Sequence, residues 1–590
     1  MSISRFKIAC VLTALLLGCC AQAQTSVPQK EVTEVVVSGQ KNSSDWFRAE
    51  SQHFIVYSDS KQEHVSLLLH RLERFDHLLR LYTKTEHKTG PKLTFYYQSR
   101  VNDLDRINKN QPAYAIGLYT SCPLGVQGFG THMYYGTNTL PLEKQPENEG
   151  LSYIFEAYAR HFLYRYTDLR TPTWYIDGFA QYFANTRFSD TQTVVGMPPK
   201  SVKDYLNFLT SGNAYSLDYK DILLENNSKG RNVGGIAGLQ LEFQAKSWVL
   251  THYILSSSEN IQHFRTYIRL TSQGTEPTAA FEQAFGYKVS KLSNQLSKYR
   301  RLSAEALKLN LTTGATEEIR FSSLPASANT LLLADAALKS CPGAEQGASL
   351  LKAIRAEAKK YPDSDYAQLI LSRAQIEWGN PQDALPYLTR AAQGNNTEAF
   401  YLLGSAHLRL AEQNQGDTQK NHFAIAQENL LKVRALNPQS AEAFYAFFKA
   451  GVQSRNIPTE EVLQSAVEAM KLAPEISSYT RAAALSYAYA NRIPETEYAL
   501  NLLAQNSRDP RAAKWAKDWQ LRLSKGVTRS TLLAEMRLEL RTVFNEWTVS
   551  SDEVMQAVKL ASGLENARDF IQSQQLMDQQ TTQGALPGTR

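Results

Sequence analysis

Cysteine is scarce in this 590-residue chain: there are five, and Cys10, Cys19 and Cys20 fall within the first twenty positions. Only Cys122 and Cys341 remain for the folded part, which excludes a disulfide-dense scaffold. An oxidising compartment permits them to pair, and two cysteines so far apart are as readily left as free thiols. Net charge is also small, +6, with no basic block. A nucleic-acid footprint needs Lys and Arg gathered on one face, so no nucleic-acid partner is expected. Beyond the N-terminus no run reaches the roughly 18 apolar residues of a membrane-spanning helix. The chain also lacks a Gly-x-Ser-x-Gly elbow and an intact His-Glu-x-x-His, so neither common hydrolase signature is complete.

What is present begins with an export pattern. Arg5 and Lys7 precede the apolar run "IACVLTALLLG", followed by small residues. Two processing sites compete. Ala21-Gln22-Ala23 suits ordinary signal cleavage, giving a signal peptide over 1–23, whereas Leu16-Leu17-Gly18-Cys19 resembles a bacterial lipobox in which Cys19 carries the lipid. The expected location is therefore the periplasm of a Gram-negative bacterium, or its outer membrane as a lipoprotein. Residues 24–44 read as a flexible tether.

At this length two or more domains are expected. "HFIVYSD", "KLTFYYQS", "AYAIGLYTS" and "GVQGFGTHMYYGT" have the β-branched and aromatic content of strands, and "EHVSLLLHRLERFDHLLRLY" has helical periodicity. Together with the helical segments "IFEAYARHFLYRY" and "PTWYIDGFAQYFANTRF", this predicts an α+β domain over 45–305. The polar run from Asn310 to Ser327 predicts a boundary. Beyond it the pattern is helical and repeats with a period near 34.

The repeats resemble tetratricopeptide units. In "AFYLLGSAHLRL" Phe400, Leu403, Gly404 and His407 take the first-helix positions, and Ala426, Leu430, Val433 and Pro438 the second-helix positions, with an insertion between the two helices. A preceding unit matches through Leu371, Ala374, Gly379, Ala384, Leu388 and Ala391, and a following one runs from Phe444 to Pro474. One such unit cannot bury its apolar face alone, so a solenoid of roughly four or five is expected over 329–525. Residues 526–590 read as C-terminal helices and a disordered tail.

Over 45–305 the chain resembles the peptidase MA-like, gluzincin-type domain of bacterial exported proteins. Phe155, Tyr158, Ala159, His161, Trp174, Tyr175, Gly178, Phe179, Ala180, Tyr182 and Phe183 carry the likeness. The resemblance implies a zincin-like fold, with a zinc-binding helix followed by a helix bearing a glutamate ligand. This chain departs from that pattern at the chemistry. By the same alignment Glu156 stands where the first His ligand belongs, Ala157 at the catalytic Glu, Arg160 at the second His and Asp177 at the Glu ligand. Alanine accepts no proton, and arginine has no lone pair to offer a metal.

No catalytic or metal-ligating residue and no cofactor are therefore expected, zinc being the alternative. Glu156 and Arg160 sit at i, i+4 with the acid first, so a cluster with Asp177 is predicted, in which the guanidinium replaces the metal's charge. Trp174, Tyr175 and Tyr182 are candidates for a peptide or glycan groove, although aromatics at helical spacing more often fill a core. The functional expectation is an exported, non-catalytic adaptor that binds a peptide or protein partner through its repeats. The alternative is a hydrolase with a relocated site, drawing on His132, His252 or His263.

Overall fold

The computed structural model describes residues 43–86, 90–98, 117–131, 148–170, 172–189, 191–200, 202–203, 206, 217–225, 235–302, 306–310, 318–454, 457–506 and 509–541. The export segment with Cys19, most of the tether, His132 and the tail beyond 541 lie outside them.

Period-2 alternation builds the main sheet. Strands β1 (Ser43–Glu50), β2 (Phe54–Ser58), β3 (Leu93–Gln98), β4 (Gly117–Cys122) and β5 (Gly125–Thr131) join β9 (Arg320–Pro325) in the order β4-β5-β3-β2-β1-β9. The β2–β3 and β3–β5 pairs are parallel and the other three antiparallel. Phe54, Val56, Phe95 and Tyr97 turn to one face, where they join a core with Leu69, Leu72 and Phe75 of α1 (Gln62–Thr83) and Ile154, Phe155 and Tyr158 of α2 (Glu149–Tyr166). The opposite face carries a cross-strand aromatic ladder. Tyr57 and Tyr96 are paired in register with ring centroids 5.4 Å apart, and Tyr96 and Phe129 are paired at 5.0 Å.

Helices α3 (Thr173–Ala184), α4 (Tyr219–Leu223), α5 (Gly235–Leu255), α6 (Ser258–Ser272), α7 (Pro277–Phe285) and α8 (Leu292–Leu302) complete the first half. A small antiparallel sheet of β6 (Arg187–Phe188), β7 (Thr193–Val195) and β8 (Leu307–Leu309) accompanies them. The stretch "PTAAFEQAFGYKVSKLSNQLSKYRRL" divides between α7 and α8, because Gly286 closes α7 in the left-handed region at φ +75°.

The expected boundary at 310–327 contains a strand. Residues 320–325 form the edge strand β9, antiparallel to β1, with Phe321 against Phe47 at 5.8 Å. The run reads as polar because most of this edge strand is exposed; Phe321 and Leu324 are its apolar residues, one on each face of the sheet. Helix α9 (Ala328–Leu338) follows at once and packs Leu332, Leu333 and Ala336 on the aromatic ladder. The solenoid thus starts on the sheet itself.

From α9 onward the helices pair as α9 with α10 (Ala344–Ala358), α11 (Asp365–Trp378) with α12 (Leu385–Ala392), α13 (Thr397–Gln413) with α14 (Gly416–Leu436), α15 (Ala441–Ser454) with α16 (Glu460–Leu472), and α17 (Ser477–Tyr489) with α18 (Ile493–Ala504); α19 (Pro510–Ser524) packs on α18, and α20 (Arg529–Arg541) returns to α17 and α15. This helical-repeat part therefore holds five hairpins among the described residues, within the four or five expected. The insertion between Leu410 and Phe423 is absorbed by lengthening α14 at its N-terminus to 21 residues. Close approach within the α13–α14 hairpin needs Gly404, where a Cβ would lie 2.8 Å from Leu430. Among the described residues no helix is long and apolar enough to cross a membrane.

Candidate functional site

Helix α2 starts on Asn148, whose side chain accepts from the Leu151 amide at 2.9 Å, and ends at Thr167, whose hydroxyl donates to the Leu163 carbonyl at 2.6 Å. Helix α3 opens with Pro172 and draws its N-terminal anchor from afar: Glu225 accepts from the Thr173 amide at 2.5 Å and from its hydroxyl at 3.1 Å. Gly178 lets α5 cross α3 closely, since a Cβ there would collide with Thr251 Oγ1 and stand 2.5 Å from the Ser247 carbonyl oxygen. These contacts fix where α2 and α3 face each other.

At that junction the structure brings Glu156, Arg160 and Asp177 together. Arg160 Nη2 lies 2.7 Å from Glu156 Oε1 and 3.3 Å from Asp177 Oδ1, and the three side chains are 14% or less exposed. One guanidinium thus stands between two carboxylates, and Ala157 beside them offers no titratable group. Replacing Arg160 by Ala is expected to lower stability by roughly 2 kcal/mol, because two buried carboxylates are left facing each other. Arg160→Lys should recover part of that loss. Thermal unfolding of the three proteins checks this, and an unchanged midpoint for Arg160→Ala would reject the cluster.

The aromatic groove is corrected. Trp174 is fully buried, Tyr175 is 9% exposed and Tyr182 is 2% exposed. Trp174 packs on Phe264 at 5.8 Å, Tyr175 on the same ring at 4.2 Å, and Tyr182 on His252 at 5.3 Å. Helix α3 is surrounded on all sides, so its aromatic spacing serves the core and presents no groove. The candidate histidines disperse. His252 Nδ1 meets the Tyr299 hydroxyl at 2.7 Å, and His263 lies 3.7 Å from Glu259. His161 turns to the sheet, with Nδ1 2.7 Å from the Tyr119 hydroxyl. Among the described residues no group of three His, Cys, Asp or Glu could hold a metal ion.

A second buried polar group escaped the reading of the sequence. Asp76 of α1 accepts from Tyr158 Oη at 2.5 Å and from Arg80 Nε at 2.7 Å. Alongside, Glu73 accepts from Ser51 Oγ at 2.6 Å and the His53 amide at 2.8 Å, and pairs with His53 Nδ1 at 2.6 Å. Burial works against a charged His53, but the Glu73 hydrogen bond and charge outweigh it and hold the ring above the usual imidazole range. The spacing of Glu73, Asp76 and Arg80 at i, i+3 and i+7 on the apolar stripe of α1 was the available signal.

Between the sheet and the solenoid lies an open-sided pocket of about 460 Å³. Tyr57, Tyr96 and Gln127 line it from the sheet, and Arg373, Tyr401 and Glu442 from the solenoid. At one end Cys122 of β4 is disulfide-bonded to Cys341 after α9, which settles a pairing that the sequence left open, and Gln127 Nε2 donates to the Ala336 carbonyl at 3.1 Å. Further contacts tie the two parts together: Arg165 of α2 lies 3.4 Å from Glu475, Tyr479 Oη donates to the Pro123 carbonyl at 3.0 Å, next to the disulfide, and Tyr498 Oη donates to Asp168 at 2.7 Å.

Comparison with known protein families finds no match, and neither does comparison with curated proteins. Among solved structures, a thermophilic TPR protein from Thermus thermophilus is similar at 19% sequence identity, covering 33% of this chain and 100% of that chain, with a TM-score of 0.28. At that score the likeness carries no structural argument, and the hairpin stacking stands on the helices themselves.

Two buried histidines set an acid limit. Burial pushes His161 down to about 4, and burial followed by the neighbouring His422 does the same for His407, whose Nδ1 is 2.8 Å from that of His422. Both rings are neutral in the folded protein and take up a proton on unfolding at mildly acid pH. Their folded values lie below the unfolded value of about 6.5, so stability is full above pH 6.5 and falls as pH drops towards 4. A loss of roughly 1 to 2 kcal/mol per histidine by pH 5 is expected. Denaturant titrations at pH 7, 6 and 5 measure it, and a flat profile would contradict the neutral buried rings.

Proposed function

We propose that this chain is an exported, non-catalytic adaptor, in which a peptidase MA-like domain with a replaced metal site carries a tetratricopeptide-type solenoid that engages a peptide or protein partner. The observation that carries the reading is the placement of Arg160 between Glu156 and Asp177. In the resembled family these positions belong to zinc ligands. Here a fixed cation already lies beside both carboxylates, so a zinc ion would meet two ligands and a repelling charge, whereas catalytic zinc is held by three protein ligands. Ala157 supplies no general base for a bound water.

The Cys122–Cys341 disulfide supports the export reading, since such bonds persist in oxidising compartments. Stacked hairpins support the interaction role, because a solenoid presents an extended concave surface. Zinc content after incubation with zinc and desalting, read by inductively coupled plasma mass spectrometry, tests the non-catalytic part. Less than about a tenth of an equivalent is expected. Stoichiometric zinc that vanishes in Asp177→Ala would restore the metallopeptidase assignment.

A further inference from the structure

We propose that the cavity between sheet and solenoid binds a short peptide segment through a lysine or arginine side chain, with Glu442 as the counter-charge and tyrosine rings as the surrounding wall. The proposal rests on the adaptor reading and gives the partner a place and a charge. Size is the first argument. About 460 Å³ falls within the range of pockets that enclose a small ligand or a few residues of peptide.

Charge is the second. Each cation in the wall already has a carboxylate: Arg373 is paired with Asp335 at 2.9 Å and with Glu398, Lys339 with Asp335 at 2.6 Å, Arg165 with Glu475 at 3.4 Å and Lys92 with Glu50 at 2.5 Å. Glu442 is the acid in this wall that no described cation pairs. It accepts only from its own amide and from Ser440 Oγ at 3.1 Å. Burial, with nearby Glu398, outweighs those two hydrogen bonds and the more distant Lys339 charge and holds its carboxyl above the usual range, so a cation in direct contact would relieve an existing penalty. Tyr401 lies close enough to feel the Glu442 charge, and Tyr57, Tyr96 and Tyr366 complete the wall. Such a wall suits the alkyl stem and charged head of a Lys or Arg side chain.

Tethering is the third. The Cys122–Cys341 disulfide and the Tyr479–Pro123 hydrogen bond join the turn between β4 and β5 to the solenoid, and Arg165 of α2 meets Glu475. These contacts hold sheet and solenoid together across the pocket, so its lining is preformed for a short segment.

The test uses the full protein with three probes: acetyl-Ala-Lys-Ala-amide, acetyl-Ala-Arg-Ala-amide and acetyl-Ala-Glu-Ala-amide, followed by saturation-transfer NMR and calorimetry. Both basic peptides should bind, and the acidic one at least about tenfold more weakly. Glu442→Gln, nearly isosteric and expected to keep its thermal midpoint, should weaken the basic peptides by about tenfold or more, and Tyr401→Leu by a few-fold. Equal binding of all three peptides, or full binding by Glu442→Gln, would overturn the charged chamber while leaving the adaptor reading in place. Binding of none of the three would also overturn it, whereas the adaptor reading stands or falls on zinc content.

Discussion

Asp76→Ala is expected to destabilise the protein by roughly 3 to 5 kcal/mol, because it breaks one partner out of a buried ionic network. Asp76 is 1% exposed and holds both Arg80 Nε and Tyr158 Oη, which tie the middle of α1 to α2 beneath the sheet. Alanine would leave the tyrosine hydroxyl unpaired. It would leave the guanidinium with the Glu86 carbonyl at 2.9 Å and the face of Tyr166 at 4.3 Å. Neither neutralises a charge whose side chain is 3% exposed. Asp76→Asn keeps an acceptor of the same shape and should lose about half as much. Thermal and denaturant unfolding of the three proteins decide this. An Asp76→Ala midpoint within error of the wild type would mean that the network is hydrated and energetically idle.

The second large effect is expected from removing the disulfide. Cys122 and Cys341 are 219 positions apart, and the chain-entropy relation for a loop of that length gives about 5 kcal/mol as an upper value. The double variant Cys122→Ser with Cys341→Ser should therefore unfold well below the wild type, and wild type in dithiothreitol should converge on it. The Gln127–Ala336 and Arg165–Glu475 contacts remain, so the reduced protein is expected to be folded but looser where sheet and solenoid meet. A wild-type midpoint that ignores reductant would show that the non-covalent contacts alone hold the two halves together.

Much of the element order was legible in the sequence, because it follows from periodicity and from little else. The alternation of Phe54, Val56 and Ser58 on one side with Ile55 and Tyr57 on the other needs only the pleat, and α2 needs only its helical periodicity and its Asn148 cap. Three things required tertiary information. The strand at 320–325 does not stand out within the polar boundary run, because polarity cannot distinguish an exposed edge strand from a connection until its partner, β1, is known. Trp174, Tyr175 and Tyr182 read as a candidate groove because nothing in α3 announces that α5 and α6 cover it. Cys122 and Cys341 could be paired or free until β4 and the end of α9 were set side by side.

The candidate cluster was more legible than the chamber for a physical reason. Glu156 and Arg160 meet through one helical turn, which spacing predicts, and Asp177 joins from the neighbouring helix. Glu442 meets Tyr57 and Tyr96 across a cavity only because the curvature of several hairpins returns to the sheet, and no local pattern encodes that return. The Asp76 network lies between these cases. Its three polar residues on an apolar stripe were visible, but their partner Tyr158 comes from another helix.

The pairing of β1 with β9 has a bearing on how the chain comes to be assembled. Asn329 accepts from the backbone amide of Asp45, 284 positions earlier, and the strand between them in the sheet is the last to be made. As the polypeptide emerges in order, one side of β1 stays unsatisfied until more than half of the chain has appeared. Such an open strand edge invites pairing with other chains. Contacts this distant in sequence also form slowly. A holding factor during biogenesis would thus matter more for the early half than for the hairpins, which close on their neighbours as they arrive.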